Sequence, residues 1–147
     1  MKHNRYIVIV GCGRLGSRLA SQLSCNGHSV VVIDCVEKAF AKLSVDFSGF
    51  RVEGNATHLA VLKEAKVGQA DAFITTTAND NINLMVSQIA RKIFDVPKVL
   101  ARAFDPRREA LYTRLGIETV NPIATAAELF LEAVAAPPVA AREAGSP

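Results

Sequence analysis

Two rhythms alternate along the chain. Short runs that are apolar at nearly every position and rich in β-branched residues cover Tyr6 to Val10, Ser29 to Asp34, Ala72 to Thr76, Lys98 to Arg102 and Ile117 to Val120, with a weaker one from Gly49 to Glu53. Such runs predict strands buried on both faces of a parallel sheet. Between them apolar residues recur every three or four positions: Leu15, Leu19 and Leu23, then Leu59, Leu62 and Ala65, then Leu84 through Phe94, Glu109 to Leu115, and finally Ile123 to about Ala136. That spacing predicts amphipathic helices. Strands alternating with helices give an α/β fold, a doubly wound six-stranded parallel sheet in a single domain, with a ligand crevice where the strand order reverses.

The domain is expected over residues 1–136. From Pro137 to Pro147 periodic apolar residues are scarce, which predicts a flexible tail or linker over 137–147. The 147 residues suffice for one core, and a hydrophobic share of 50% with 21% charged excludes a mostly disordered chain. The net charge is +3 and basic residues gather only at Arg107-Arg108, so no nucleic-acid partner is indicated. Cys12, Cys25 and Cys35 show no C-x-x-C pairing and leave one thiol over from any disulfide, which suits a reduced, cytoplasmic location and argues against a zinc site. The first apolar run ends too soon for a signal peptide, and Glu128 and Glu132 interrupt the last, so neither predicts a membrane span.

Gly11-Cys-Gly-Arg-Leu-Gly16 is a G-x-G-x-x-G that follows a predicted strand and opens a predicted helix, the Rossmann-like context that gives this motif its meaning. Gly11 permits the tight turn, Gly13 lets the backbone approach a pyrophosphate, and Gly16 lets the helix pack close to the strand. The N–H groups and dipole of that helix favour an anion. Asp34 closes the second strand, where a carboxylate accepts hydrogen bonds from an adenosine ribose and repels a 2′-phosphate. NAD(H) is therefore favoured over NADP, while ATP, ADP and AMP carry the same ribose. Asp34 is equally placed to cap a helix starting near Val36.

Gly54-Asn-Ala-Thr57 follows the third strand. Asn55 has two readings there, a hydrogen bond to adenine or an Asx turn with Thr57 capping the next helix. Thr75-Thr-Thr-Ala-Asn-Asp80 closes the fourth strand, and its hydroxyls and amide either line the crevice or cap the following helix. Arg14, in the glycine loop, and Arg102, ending the fifth strand, suit phosphates. A proton-transfer group is hard to find. Tyr112 has Gly116 and not a lysine four residues on, Tyr6 lies in the first strand, His28 precedes the second, and His58 alone falls at the ligand edge.

Taken together, the glycine loop with its arginine, Gly27-His-Ser-Val-Val-Val-Ile-Asp34, Gly54-Asn-Ala-Thr57, Asn79-Asp-Asn-Ile-Asn83 and Leu100-Ala-Arg102 followed by Asp105-Pro106 resemble the RCK or KTN domain, the N-terminal nucleotide-binding module of Trk-type potassium-uptake regulators. The resemblance covers residues 5 to 135. It implies a non-catalytic regulatory domain that binds NAD(H), or ATP/ADP or AMP, and reports to a membrane potassium channel or transporter subunit as a homodimer or higher ring. By that similarity Gly11, Gly13, Arg14 and Gly16 cradle phosphates, Asp34 holds the ribose, Asn55 and Ala56 face adenine, and Thr76, Asn79 and Arg102 border the pocket. Cys12, Leu15, Cys35 and Thr77, interleaved among them, complete the cofactor-binding set. Two departures stand out. Asn55 replaces the usual acid of the Gly-Asp-Ala-Thr turn, and Ile123 follows Pro122 where several members carry a glutamate. The alternatives are the cofactor domain of an NAD-dependent oxidoreductase whose substrate domain is missing, and an interaction module without ligand. The apolar helix from Ala124 to Ala136 is open to two packings, against a partner subunit or in the core.

Overall fold

A computed structural model describes residues 3–141 and 145. Strands β1 (Tyr6–Val10), β2 (Ser29–Asp34), β3 (Phe50–Glu53), β4 (Ala72–Thr75), β5 (Lys98–Arg102) and β6 (Glu118–Val120) form one parallel sheet in the order β3-β2-β1-β4-β5-β6. The order reverses between β1 and β4. Val10 stands level with Ile33 and Thr75, so the loops leaving β1, β2 and β4 open side by side around that reversal.

Five helices follow the predicted pattern: α1 (Arg14–Cys25), α2 (Leu59–Glu64), α3 (Asp80–Lys92), α4 (Glu109–Arg114) and α5 (Pro122–Ala135). The helix expected near Val36 is instead a 3₁₀ turn over Glu37–Lys42. Phe40 and Leu43, three residues apart, both bury against the sheet, and three residues per turn is the spacing that stacks them.

Successive strand residues point to opposite faces, giving two core layers. On one, Val8, Val10, Ile33, Phe73 and Val99 pack with Leu62 of α2, Val86 of α3 and Tyr112 of α4. On the other, Ile7, Ile9, Val30 and Val32 pack with Ala20 of α1 and with Phe40 and Phe47. This second layer covers only part of the sheet. Ile74 and Leu100 stay half exposed on the α1 side, flooring a groove of about 400 Å³ whose walls include Leu15 and Leu19 of α1 and Leu129 of α5.

Nothing in α5 is buried. Asn121 caps it, its Oδ1 accepting from the Ala124 N–H at 3.1 Å, and Pro122 takes the first turn, but the helix then leaves Phe130 74% and Val134 84% exposed. Of the two packings open to this helix, core burial is excluded. Pro137 to Ala141 follow without helix or strand, and residues 142–144, 146 and 147 of the expected tail lie outside the described residues.

Candidate functional site

The glycine turn is built by two close approaches. Gly11 has φ +100°, and a Cβ on Gly16 would lie 1.8 Å from the Gly11 carbonyl oxygen, so α1 starts against β1 only because both residues lack side chains. Thr76, just past β4, locks the turn: its hydroxyl donates to the carbonyls of Val10 at 3.0 Å and Gly11 at 3.1 Å. Gly13 is different. A Cβ there would meet no atom of the described residues within 4 Å, so their packing gives no reason for glycine at this position.

Gly13 opens onto a crevice of about 340 Å³. Its walls are the turn itself (Gly11 and Gly13), Asp34 at the end of β2 and Cys35 just past it, Asn55 and Ala56 after β3, Thr76, Thr77 and Asn79 after β4, and Arg102 at the end of β5. Ten of the fourteen residues expected from the sequence therefore meet at one cavity. Asp34 and Arg102 stand on opposite sides of the glycine turn, which places negative charge toward β2 and positive charge toward β5.

Asp34 serves the fold and leaves capacity to spare. Its Oδ1 accepts from the Val36 N–H and its Oδ2 from the Cys12 N–H, each at 2.8 Å. A carboxylate has about four acceptor positions, so each oxygen retains one for a hydroxyl. The Asx-turn reading of Asn55 is realised through its Oδ1, which accepts from the Thr57 N–H at 2.9 Å and hydroxyl at 2.7 Å. Thr57 does not cap α2: its hydroxyl turns back to Asn55, and His58, the residue at the cap position before Leu59, makes no side-chain cap. Asn79 caps α3, accepting from the N–H groups of Asn81 and Ile82 while also lining the crevice.

Four expected residues lie elsewhere. Cys12 is fully buried in the second core layer, and its N–H is taken by Asp34. Burial pushes its thiol pKa up, and the Asp34 charge adds to this against the smaller opposing effect of Lys42 and Arg51. Leu15 faces the apolar groove. Arg14 points to a basic surface pocket with Arg18 and Lys42, and Gly16 lies behind the turn. His58 is exposed and outside the crevice lining.

One residue of the site architecture lay hidden in the sequence. Asn83 is fully buried in α3, and its amide accepts from the Thr77 N–H (3.1 Å) and hydroxyl (2.6 Å) and donates to the carbonyls of Thr77 (2.9 Å) and Arg102 (3.0 Å). It clamps the loop after β4 to the end of β5. Asn79 to Asn83 contributed to the family resemblance, but spacing alone gives no signal that the last asparagine turns inward. Ala78 and Ile82 also line the crevice, as the apolar surface against which a flat ring could pack.

A glycine turn at the switch point, a carboxylate at the end of β2 and a cavity along the carboxyl ends of the strands define a Rossmann-like domain of the nucleotide-binding type. The chain belongs to the TrkA-N domain family, which matches residues 7–122. It is 43% identical over 126 residues to the Trk system potassium uptake protein TrkA of Streptomyces coelicolor, an alignment covering 86% of this chain and 56% of that protein. It is 35% identical over 136 residues to a TrkA homolog of Methanothermobacter thermautotrophicus, covering 92% and 62%. The chain thus spans little more than half the length of these relatives.

Among solved structures, the TrkA-N domain of the inner membrane protein ybaL from Escherichia coli superposes with a TM-score of 0.79 at 24% identity, covering 91% of this chain and 99% of that one. The GsuK RCK domain superposes at 0.70 with 25% identity, covering 86% and 27%. The same fold occurs in the GsuK channel bound to NAD (0.64), in GsuK bound to ADP (0.66) and in the AMP-bound Kef C-terminal domain of Shewanella denitrificans (0.72). Among the described residues no helix is long and apolar enough to cross a membrane.

Proposed function

We propose that this domain is a nucleotide-responsive regulator of potassium uptake, working on the cytoplasmic side of a membrane channel or transporter subunit. An adenine nucleotide, NAD(H) first and ATP/ADP or AMP otherwise, occupies the crevice with its phosphates over Gly11 and Gly13, its ribose on Asp34 and its adenine between the Asn55-Ala56 turn and Ile82. The observation that carries this reading is the empty space at Gly13: a glycine without a partner atom among the described residues is explained by a ligand that must approach the backbone. NAD, ADP and AMP in structures of this fold support the ligand class, and the potassium-uptake relatives support the setting. The relatives' names also favour a sensor over the oxidoreductase reading.

The domain pairs with a second copy of itself. Helix α5 holds an unburied apolar face, and the groove over Ile74 and Leu100 is an unburied apolar floor on the same chain. A two-fold axis that lays the α5 of each copy into the groove of the other buries both at once.

Thermal unfolding with a nucleotide panel tests the ligand. NAD, NADH, ADP, ATP or AMP raises the midpoint and NADPH does not; no response to any of them overturns the proposal. Uptake of rubidium, a potassium surrogate, by cells carrying an Asp34→Ala allele tests the setting. Uptake by the unmodified allele should follow nucleotide levels and the mutation should abolish that dependence; a mutant whose uptake still follows nucleotide levels as the unmodified allele's does would refute the assignment.

A further inference from the structure

The nucleotide crevice and the groove proposed for a second copy's α5 share a wall. Among the described residues, Thr76 and Arg102 alone line both. Thr76 is fixed by its two hydrogen bonds to the β1 end of the glycine turn. Arg102 is anchored only through its backbone, whose carbonyl accepts from Asn83. Its guanidinium lies over the Phe104 ring, 4.3 Å from the centroid, and Nη1 reaches the Thr76 carbonyl at 3.5 Å, the outer limit of a hydrogen bond. Nε is buried without a partner among the described residues. A group with five donors is held by one weak acceptor.

We infer that Arg102 couples the two sites, so that phosphate bound in the crevice strengthens docking of a second copy's α5 in the groove, and docking strengthens nucleotide binding. The inference rests on both parts of the proposed function. The groove is floored by Ile74 and Leu100 and walled by Leu15, Leu19 and Val120 and, at one edge, by Leu129 of the chain's own α5, so among the described residues Arg102 is its one charged wall. An apolar helix laid over it removes the water that serves the guanidinium, and a buried donor without an acceptor is costly. A phosphate on the crevice side supplies that acceptor in the two-point geometry a guanidinium prefers. By linkage the effect acts equally in both directions.

The test measures the dimer dissociation constant by dilution, with and without saturating ADP, for the unmodified chain and for Arg102→Met and Arg102→Lys. Thermal unfolding reports ADP binding in parallel, and adenosine serves as the ligand without phosphate. ADP should tighten the unmodified dimer about fivefold or more, within the usual range of such couplings, and adenosine should leave it unchanged. Arg102→Met, which removes the orphan donors, should dimerise without nucleotide at least as tightly and gain nothing from ADP. Arg102→Lys, which keeps the charge without the fork, should retain part of the response. Three results overturn the coupling: ADP binds but the dimer constant does not move, Arg102→Met keeps the full response, or Arg102→Met weakens the dimer with and without ADP. The last would mean that Glu128 or Glu132 of the second copy is the acceptor. No ADP binding at all would instead remove the nucleotide reading, and a monomer at every concentration would remove the docking reading; the coupling falls in either case.

Discussion

The Asp34 carboxylate accepts the N–H of Cys12 at 2.8 Å, tying the end of β2 to the middle of the glycine turn. The residue offered to a ribose is thus also the one that sets the shape of the phosphate cradle, so loss of Asp34 acts on both.

Asp34→Ala leaves the N–H groups of Cys12 and Val36 without their acceptor. Urea unfolding should show a loss of about 1–3 kcal/mol, and nucleotide stabilisation should disappear in the surviving folded fraction. Full stability with full nucleotide response would show that neither role is real.

Asn83→Ala removes four hydrogen bonds made by a fully buried side chain to partners that are themselves part-buried. Stranding the Thr77 N–H and the Arg102 carbonyl should cost about 1–3 kcal/mol for each group left unsatisfied, measured by chemical denaturation. Hydrogen exchange of the Thr77 amide should speed up more than that of the β1 amides.

Thiol labelling separates the three cysteines. Cys25 and Cys35 are exposed and should react with iodoacetamide in the native state, whereas buried Cys12, its pKa raised, should react only on unfolding. Saturating nucleotide should protect Cys35, which lines the crevice, and leave Cys25 unprotected. The raised Cys12 pKa also fixes a sign: its contribution to stability is intact below the unfolded thiol pKa of about 8.5 and is lost as pH climbs through the folded value.

Phe130→Asp places a charge on a helix with no buried residue, at a side chain that is 74% exposed. Monomer stability should change by less than about 0.5 kcal/mol while sedimentation shows the dimer lost. A dimer that survives the substitution would move the contact away from α5.

Much of this was legible in the sequence because the signals are local. The runs at Tyr6–Val10, Ser29–Asp34 and Lys98–Arg102 are strands with those bounds, since a strand buried on both faces needs an unbroken apolar run. Gly49 falls outside β3: its missing Cβ would stand 2.2 Å from the Val30 carbonyl oxygen, a contact that only the paired strands create. The same limit hid Asn83, whose four partner atoms belong to Thr77 in the loop after β4 and Arg102 at the end of β5. The Arg14 side chain points away from the crevice because the first turn of α1 carries it to the outer surface beside Lys42, a direction set by helix phase and not by the motif.

Calorimetric titration of ADP and NADH into the unmodified chain and into Gly13→Ala tests the central claim most directly. A methyl group at Gly13 meets no atom of the described residues within 4 Å, and its φ of −82° suits alanine, so the variant should unfold at about the same urea concentration as the unmodified chain. The account predicts saturable binding to the unmodified chain, with stabilisation of about 2.7 kcal/mol at a hundredfold excess of ligand over Kd, and loss of both in the variant. Equal binding by the two proteins would contradict it, because the phosphates would then not rest on the glycine turn.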